Sequence, residues 1–257
     1  MDPHDAFFVM SSGRVETQTL HALLDKAENA KVWHHPRPEM IMETQAAYWG
    51  VCDKRKVFWD GRRELIEQAW AKGLIHGETD HNMTPFCDVI AEEIPLSRFI
   101  VLVRDPREYV RSGMRRGFYI NGGEWDRGRL RPSDNDPELA DWLSKTTFER
   151  VCWLWAKTYE HILNITGKLD SSRVMVVRFE DLVGNVDTVE QIFSFLGLSG
   201  YSKAKSLRIL SKRLNRQKGG DYPHPADWSN HKHMVCWNTV GKIALRYGYA
   251  VPYSRIS

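Results

Sequence analysis

The sequence predicts an α/β protein, a parallel sheet covered on both faces by helices to make a three-layer sandwich. Two observations carry this. Runs such as Ala6-Phe7-Phe8-Val9-Met10 and Phe99-Ile100-Val101-Leu102-Val103 are apolar without polar alternation, the pattern of strands buried on both faces. Between such runs lie longer stretches with apolar residues at helical spacing. The chain has 257 residues, enough for one α/β domain or two small ones, and shows no internal repeat or low-complexity tract.

Composition narrows the function. A formal charge of +3 with 27% charged residues is too mild for a general nucleic-acid binder, and a few anion-binding side chains account for it. Cys52, Cys87, Cys152 and Cys236 are scattered without a CxxC pair, so neither zinc nor a disulfide framework is expected and reduced thiols are the default. The start, Met1-Asp2-Pro3-His4-Asp5, is acidic and lacks the basic-then-apolar pattern of a secretion signal. No stretch reaches the roughly 18 apolar residues of a spanning helix. A soluble, cytoplasmic protein with no membrane or nucleic-acid partner is the expectation.

The elements follow in order. Residues 6–10 make the first strand. Ser11-Ser12-Gly13-Arg14 is a turn, and residues 17–29 carry Leu20, Leu23, Leu24 and Ala27 at helical spacing. A strand, a glycine-containing loop and a helix form the geometry in which backbone N–H groups cradle phosphate. The loop lacks GxxxxGK[ST], so it is not an ordinary nucleotide triphosphatase loop, yet Arg14, Thr17 and Thr19 offer a cation and hydroxyls. Lys31-Val32-Trp33 reads as the second strand, ended by His34-His35-Pro36. Residues 54–72 read as a helix burying Val57, Phe58, Leu65, Ile66, Ala69 and Trp70. Residues 74–79 are a third strand leading into Asp80-His81-Asn82, followed by a helix near 86–93 and the strand from Phe99.

That fourth strand ends in Arg104-Asp105-Pro106. Proline suits the first turn of a helix, where its missing N–H costs nothing. Ligands bind at the carboxyl ends of strands in open α/β sheets, so Arg104 is placed for an anion, with Ser112 two turns along the helix. A salt bridge from Arg104 to Asp105 or Glu108 is the competing reading. Residues 121–136 are rich in Gly, Asp, Arg and Pro and predict a long surface loop. Residues 148–166 predict a helix whose Trp153 and Trp155 belong to the core. Residues 174–182 read as another buried strand and its exit, 186–196 as an amphipathic helix ended by Gly197, 203–213 as a basic helix, and 232–247 as the last helix.

Four of these segments together resemble the sulfotransferases that use 3′-phosphoadenosine 5′-phosphosulfate (PAPS). Arg14-Val15-Glu16-Thr17-Gln18-Thr19-Leu20 looks like their 5′-phosphosulfate loop. Arg104-Asp105-Pro106, with Ser112 eight residues after the arginine, is similar to their 3′-phosphate site. Arg178-Phe179-Glu180-Asp181-Leu182 looks like their strand-exit motif, and Lys218-Gly219 with Asp227-Trp228-Ser229-Asn230 resembles their carboxyl-terminal loop. These motifs span nearly the whole chain. The resemblance implies a P-loop-like sulfotransferase fold in a single domain over 1–257. It implies PAPS as co-substrate, PAP as product and no metal. Gly13, Arg14, Thr17, Gln18, Thr19, Arg104, Ser112, Lys218 and Gly219 are then the cofactor-binding residues. The pattern departs from the family at Glu16, where glycine is usual, at Gln18, where threonine is usual, and at Gln217, where an arginine is common; no tryptophan follows the first loop.

Sulfuryl transfer needs an acceptor in line with the leaving phosphate oxygen, positive charge on that oxygen, and usually a base. Arg14 is the candidate cation. The family's branches place a glutamate after the second strand, where this chain has His34 and His35, or a histidine past the third strand, close to His81, with Glu78 three residues before it. An imidazole suits deprotonation of a hydroxyl. The base stays open among His35, His81, Glu78 and His34. The expected acceptor is the hydroxyl or amine of a small molecule or carbohydrate, with residues 121–145 and the loop after His35 shaping its pocket. A P-loop kinase-like phosphotransferase and a non-catalytic phosphoadenosine-binding protein are the rivals. Oligomeric state is not legible.

Overall fold

In the computed structural model, which describes residues 5–120, 122–212 and 220–250, five parallel strands form one sheet among the described residues. They are β1 (Ala6–Met10), β2 (Ala30–Trp33), β3 (Ile75–Glu78), β4 (Arg98–Val103) and β5 (Val174–Arg178), in the order β2-β3-β1-β4-β5. The register pairs Phe8 with Glu78 on one side and with Phe99 on the other. β1 therefore sits at the centre, and all five of its residues are buried. That is why its sequence carries no polar alternation.

Helices flank the sheet: α1 (Thr17–Leu24), α2 (Ile41–Trp49), α3 (Lys54–Trp70), α4 (Cys87–Glu93), α5 (Pro106–Arg115), α6 (Glu124–Arg127), α7 (Leu139–Ser144), α8 (Thr147–Thr166), α9 (Phe179–Gly184), α10 (Asp187–Leu196), α11 (Lys203–Leu210) and α12 (Asn230–Arg246). Side-chain caps explain several starts. Asp53 accepts from the Lys56 amide at α3, Ser229 from Lys232 at α12, and Thr146 with Glu149 forms a reciprocal capping box at α8. α10 ends at Gly197, whose φ of 68° closes the helix in the left-handed conformation. Trp153 and Trp155 lie in the core, as their spacing predicts.

Three expectations change. Strand β5 is a sheet edge rather than a buried strand: Val176 is 51% exposed and only Val177 of its five residues is buried. Composition cannot tell an edge strand from a central one when both are rich in valine. The buried face of α3 includes Arg62, which is fully buried beside Phe58 and Ile66, whereas Leu65 is only partly covered. Residues 41–49 form α2 although no capping side chain announces it; Met40 precedes it at φ 54° without a side-chain bond. The helix is stabilised instead by what packs on it.

Its partner is the stretch expected to be a surface loop. Residues 122–131 carry α6 and then run over α2 as a strap. The Gln45 amide donates to the Arg127 and Arg129 carbonyls at 3.2 and 2.7 Å, and the Trp49 indole donates to Arg131 at 2.6 Å. Asp126 accepts from the Tyr119 amide at 2.6 Å and from Arg129 Nε at 3.0 Å. A Cβ on Gly128 would lie 2.2 Å from Ile41 Cγ2, so only glycine permits this approach. Polar, glycine-rich composition thus marks a strap held by hydrogen bonds. The four cysteines are free, and among the described residues no helix is long and apolar enough to cross a membrane.

Candidate active site

The site begins where β1 runs out of sheet. The chain turns through residues 11–16 with Gly13, Arg14 and Glu16 at φ 68°, 55° and 63°. Glycine takes this conformation freely, while the other two are strained by about 1–2 kcal/mol each. Neighbouring elements hold the loop in place. The Ser11 amide donates to the Thr84 hydroxyl at 3.0 Å, and Tyr109 OH donates to the Ser12 carbonyl at 3.3 Å. Gly13 is required twice over, because a Cβ there would sit 3.1 Å from the His81 ring. The first amides of α1 have no carbonyl partner within the helix and point their partial positive charge at the loop mouth. Arg14 is held down to about 10 by burial and by the nearby Arg116 and Arg104, with Glu16 opposing. A bound anion would relieve that crowding of like charge.

On the adjacent strand, Arg104 leaves β4 with its carbonyl fixed by the Trp155 indole at 3.2 Å. Its Nη1 donates to the Arg14 carbonyl at 3.3 Å, which couples it to the loop. The guanidinium lies over the Phe179 ring, 4.8 Å from the centroid. The competing salt bridge is present but loose: Glu108 Oε2 is 3.7 Å away, and the side chain remains 18% exposed. Asp105 caps α5 through the Arg107 amide, Pro106 takes the first helical position, and Glu180 accepts the Asp105 amide at 3.0 Å. The exit of β5 therefore braces the Arg104 turn. Ser112 lies buried on α5.

Opposite the loop stands a chain of imidazoles. The His34 and His35 rings are 4.2 Å apart and those of His35 and His81 are 5.4 Å apart. Under them lies Asp80, fully buried, whose Oδ1 accepts His35 Nδ1 at 2.9 Å and lies 3.6 Å from His81 Nδ1. Asp80 also accepts the Asn82 amide at 3.0 Å, and Arg62 Nη2 approaches its other oxygen at 3.7 Å. These contacts separate the titrations. Burial, then His35 and His21, push His34 down to about 4. Burial also takes His81 down to about 4, against the pull of Asp80, with His35 and Arg129 adding to the fall. For His35 burial acts the same way, but the Asp80 hydrogen bond and charge, with Glu39 and Glu78, outweigh it and raise its pKa. Asp80 itself is lowered: burial opposes ionisation and is overcome by His35 and His81.

Loop and imidazoles face each other across a cleft of about 620 Å³. Gly13, Arg14, Glu16, Thr17 and Gln18 line it together with His34, His35 and His81, and Arg116, Phe118, Asp126 and Arg129 also contribute. Thr19 does not line it and donates its hydroxyl proton to Glu16 Oε2 at 3.1 Å, while Glu16 itself does line the cleft. Arg104 and Ser112 are not among its lining residues. Glu78 is corrected as a candidate base: it is fully buried and accepts Arg62 Nε through both oxygens at 2.8 and 2.9 Å, so it has no route to the cleft. Lys218 and Gly219 lie outside the described residues.

Sequence reasoning missed Asp80, Arg62, Arg116 and Arg129. The first had a signal, a carboxylate beside His81 at a strand exit, but nothing in the spacing said that it would reach His35. The donor atoms of His35, Asp80 and His81 lie within 4.8 Å of one another, as a metal site requires. Arg62 beside Asp80 already supplies the positive charge there and disfavours a second cation.

The chain matches the model of the sulfotransferase family over residues 14–203. No curated protein sequence is a significant match. Similar solved structures include the sulfotransferase domain of the Synechococcus PCC 7002 olefin synthase (TM-score 0.56, 14% identity, covering 97% of this chain and 96% of that one). The sulfotransferase domain from the curacin biosynthetic pathway is similar at TM-score 0.53 and 16% identity, over 97% of this chain and 99% of that one. Mouse sulfotransferase SULT7A1, solved with PAP, is similar at TM-score 0.54 and 15% identity, over 97% and 90%. At these identities the likeness establishes the fold, the P-loop-like sulfotransferase sandwich that the motif resemblance implies. With the family model spanning residues 14–203, most of the chain and with it the imidazoles and the Arg104 turn, the chain belongs to the sulfotransferase family.

Proposed function

We propose that this protein transfers the sulfuryl group of PAPS to a hydroxyl of a small-molecule acceptor. The observation that carries the reading is the bond from Arg104 Nη1 to the Arg14 carbonyl, which joins two anion-binding turns on neighbouring strands β1 and β4. A ligand with phosphate at both 3′ and 5′ positions needs two such turns side by side, and ATP does not. The resemblance assigns the 3′-phosphate to Arg104 and Ser112, through charge-assisted hydrogen bonds. The loop from Gly13 to Gln18 then takes the phosphosulfate, with α1 amides and Arg14 as its donors.

The two histidines with opposite shifts divide the chemistry. His81, neutral down to about pH 4, lies against Gly13 and accepts the proton of the attacking hydroxyl on Nε2. The acceptor oxygen bonds to sulfur as the sulfur–oxygen bond to the 5′-phosphate breaks. Arg14 and the protonated His35 offset the charge that gathers on the leaving oxygen. Asp80 is a positioning residue: it keeps a proton on His35 Nδ1 and holds both rings toward the cleft.

Calorimetric titration with 3′,5′-adenosine bisphosphate against ATP tests the reading. Micromolar binding of the bisphosphate and at least tenfold weaker binding of ATP is the expected result, about 1.4 kcal/mol of discrimination. Equal, weak binding of both removes the proposal in favour of neither rival kinase nor phosphoadenosine carrier.

A further inference from the structure

We infer that His161 reads a second polar group on the acceptor, and that the acceptor is a slender, uncharged molecule rather than a sugar ring or an ionised one. This rests on the sulfotransferase reading and adds the substrate class. A side cavity of about 50 Å³ adjoins the cleft; Ser12, His81 and Arg129 line both. Its walls come from β1's exit loop, α2, α8 and the 122–131 strap, with Ile41, Leu130, Leu154 and Pro85 as apolar surface. The tail of a hydroxyl held at His81 can thus enter this mostly apolar space.

Two properties of that space select the tail. Its size admits a chain of a few heavy atoms, about 50 Å³ against the roughly 10–15 Å³ that one water needs on the same measure. Its charge is nil. No carboxylate lines it, His161 is neutral because burial holds it down to about 4, and Arg129 is engaged by Asp126 at 3.0 Å and lies over the Phe118 ring. A cationic tail would meet Arg129, and an anionic one would give up its hydration for a guanidinium that Asp126 already neutralises. Most polar groups of the lining are already committed: Thr158 donates to the Leu154 carbonyl, and Thr44 to those of Met40 and Asn82. His161 Nε2 is the exception, a buried ring nitrogen with no hydrogen-bond partner among the described residues, while the ring packs edge-on against Tyr48 at 5.4 Å. A hydroxyl or amide a few atoms from the reacting oxygen would pair with it.

The test measures sulfation of 1-butanol, 1,4-butanediol, 4-hydroxybutanoate and 4-aminobutan-1-ol with PAPS, on preparations whose PAP affinity is measured alongside. The diol should exceed butanol by about fivefold in kcat/KM, the worth of one hydrogen bond. Both ionised acceptors should fall below about a tenth of the diol. His161→Leu should erase the diol's advantage through KM with PAP affinity unchanged, and His161→Gln should restore part of it. A direct readout does not need turnover: in the PAP complex, the His161 ring Hε1 resonance should shift on adding 1,4-butanediol and not on adding 4-hydroxybutanoate. Ionised acceptors used as well as the diol, a diol preference that survives His161→Leu, or an unmoved His161 resonance overturns the inference while leaving PAP binding intact. Loss of PAP binding in the wild type overturns the parent reading and this one together.

Discussion

Asp80→Asn separates the roles of the two histidines. The substitution is nearly isosteric: Asn82 still has an oxygen to donate to, and Arg62 keeps its two bonds to Glu78. What disappears is the negative charge 2.9 Å from His35 Nδ1 and 3.6 Å from His81 Nδ1. A hydrogen bond between charged groups contributes about 1.5–3 kcal/mol. At about 1.36 kcal/mol per pKa unit, His35 should titrate about 1–2 units lower in the variant. The sign also sets the stability effect. A histidine with a raised pKa stabilises the fold fully below its unfolded value of about 6.5 and loses that contribution as pH rises through the folded value. Asp80→Asn should therefore lower the melting temperature more at pH 6 than at pH 9. Proton NMR titration of the His35 Hε1 resonance, beside a pH profile of kcat/KM, reads both. The alkaline limb of activity should move down with the His35 titration, and the acid limb set by His81 should stay below pH 5. A His35 midpoint that moves by less than about half a unit in a folded variant would refute the dyad. So would an alkaline limb that ignores the shift.

Two further outcomes follow from the same geometry. Gly13→Ala forces a Cβ to within 3.1 Å of the His81 ring at a φ of 68°, so it should reduce kcat by an order of magnitude or more at a stability cost of about 1–2 kcal/mol, measured by turnover and urea melts together. His34, His81 and His161 are all held near pH 4 by burial. Groups with depressed folded values favour the native state above about 6.5 and lose that contribution as pH falls toward 4, so thermal melts should drop steadily across that window before the carboxylates titrate. A flat melting temperature between pH 6.5 and 4.5 would count against it.

Residue pattern alone made the architecture legible, together with the two turns that follow β1 and β4. Unbroken apolar runs bury both faces of a strand, so β1 and β4 were legible as central, and the arginine, proline and serine of residues 104–112 fix a helix start at a strand's carboxyl end. Which groups stand around the histidines depends on the packing of distant segments. His76, Glu78 and Asp80 alternate onto one side of the β3 exit, and period-two alternation cannot say whether that side meets substrate or core. Arg62, a charged residue on an otherwise apolar helix face, settles it by burying against Glu78 and reaching Asp80. The strap was hidden for a related reason: its contacts are backbone carbonyls accepting from Gln45 and Trp49, which leave no trace in side-chain periodicity. Local pattern encodes where a residue points relative to its own element; which element arrives opposite is a property of the packed chain.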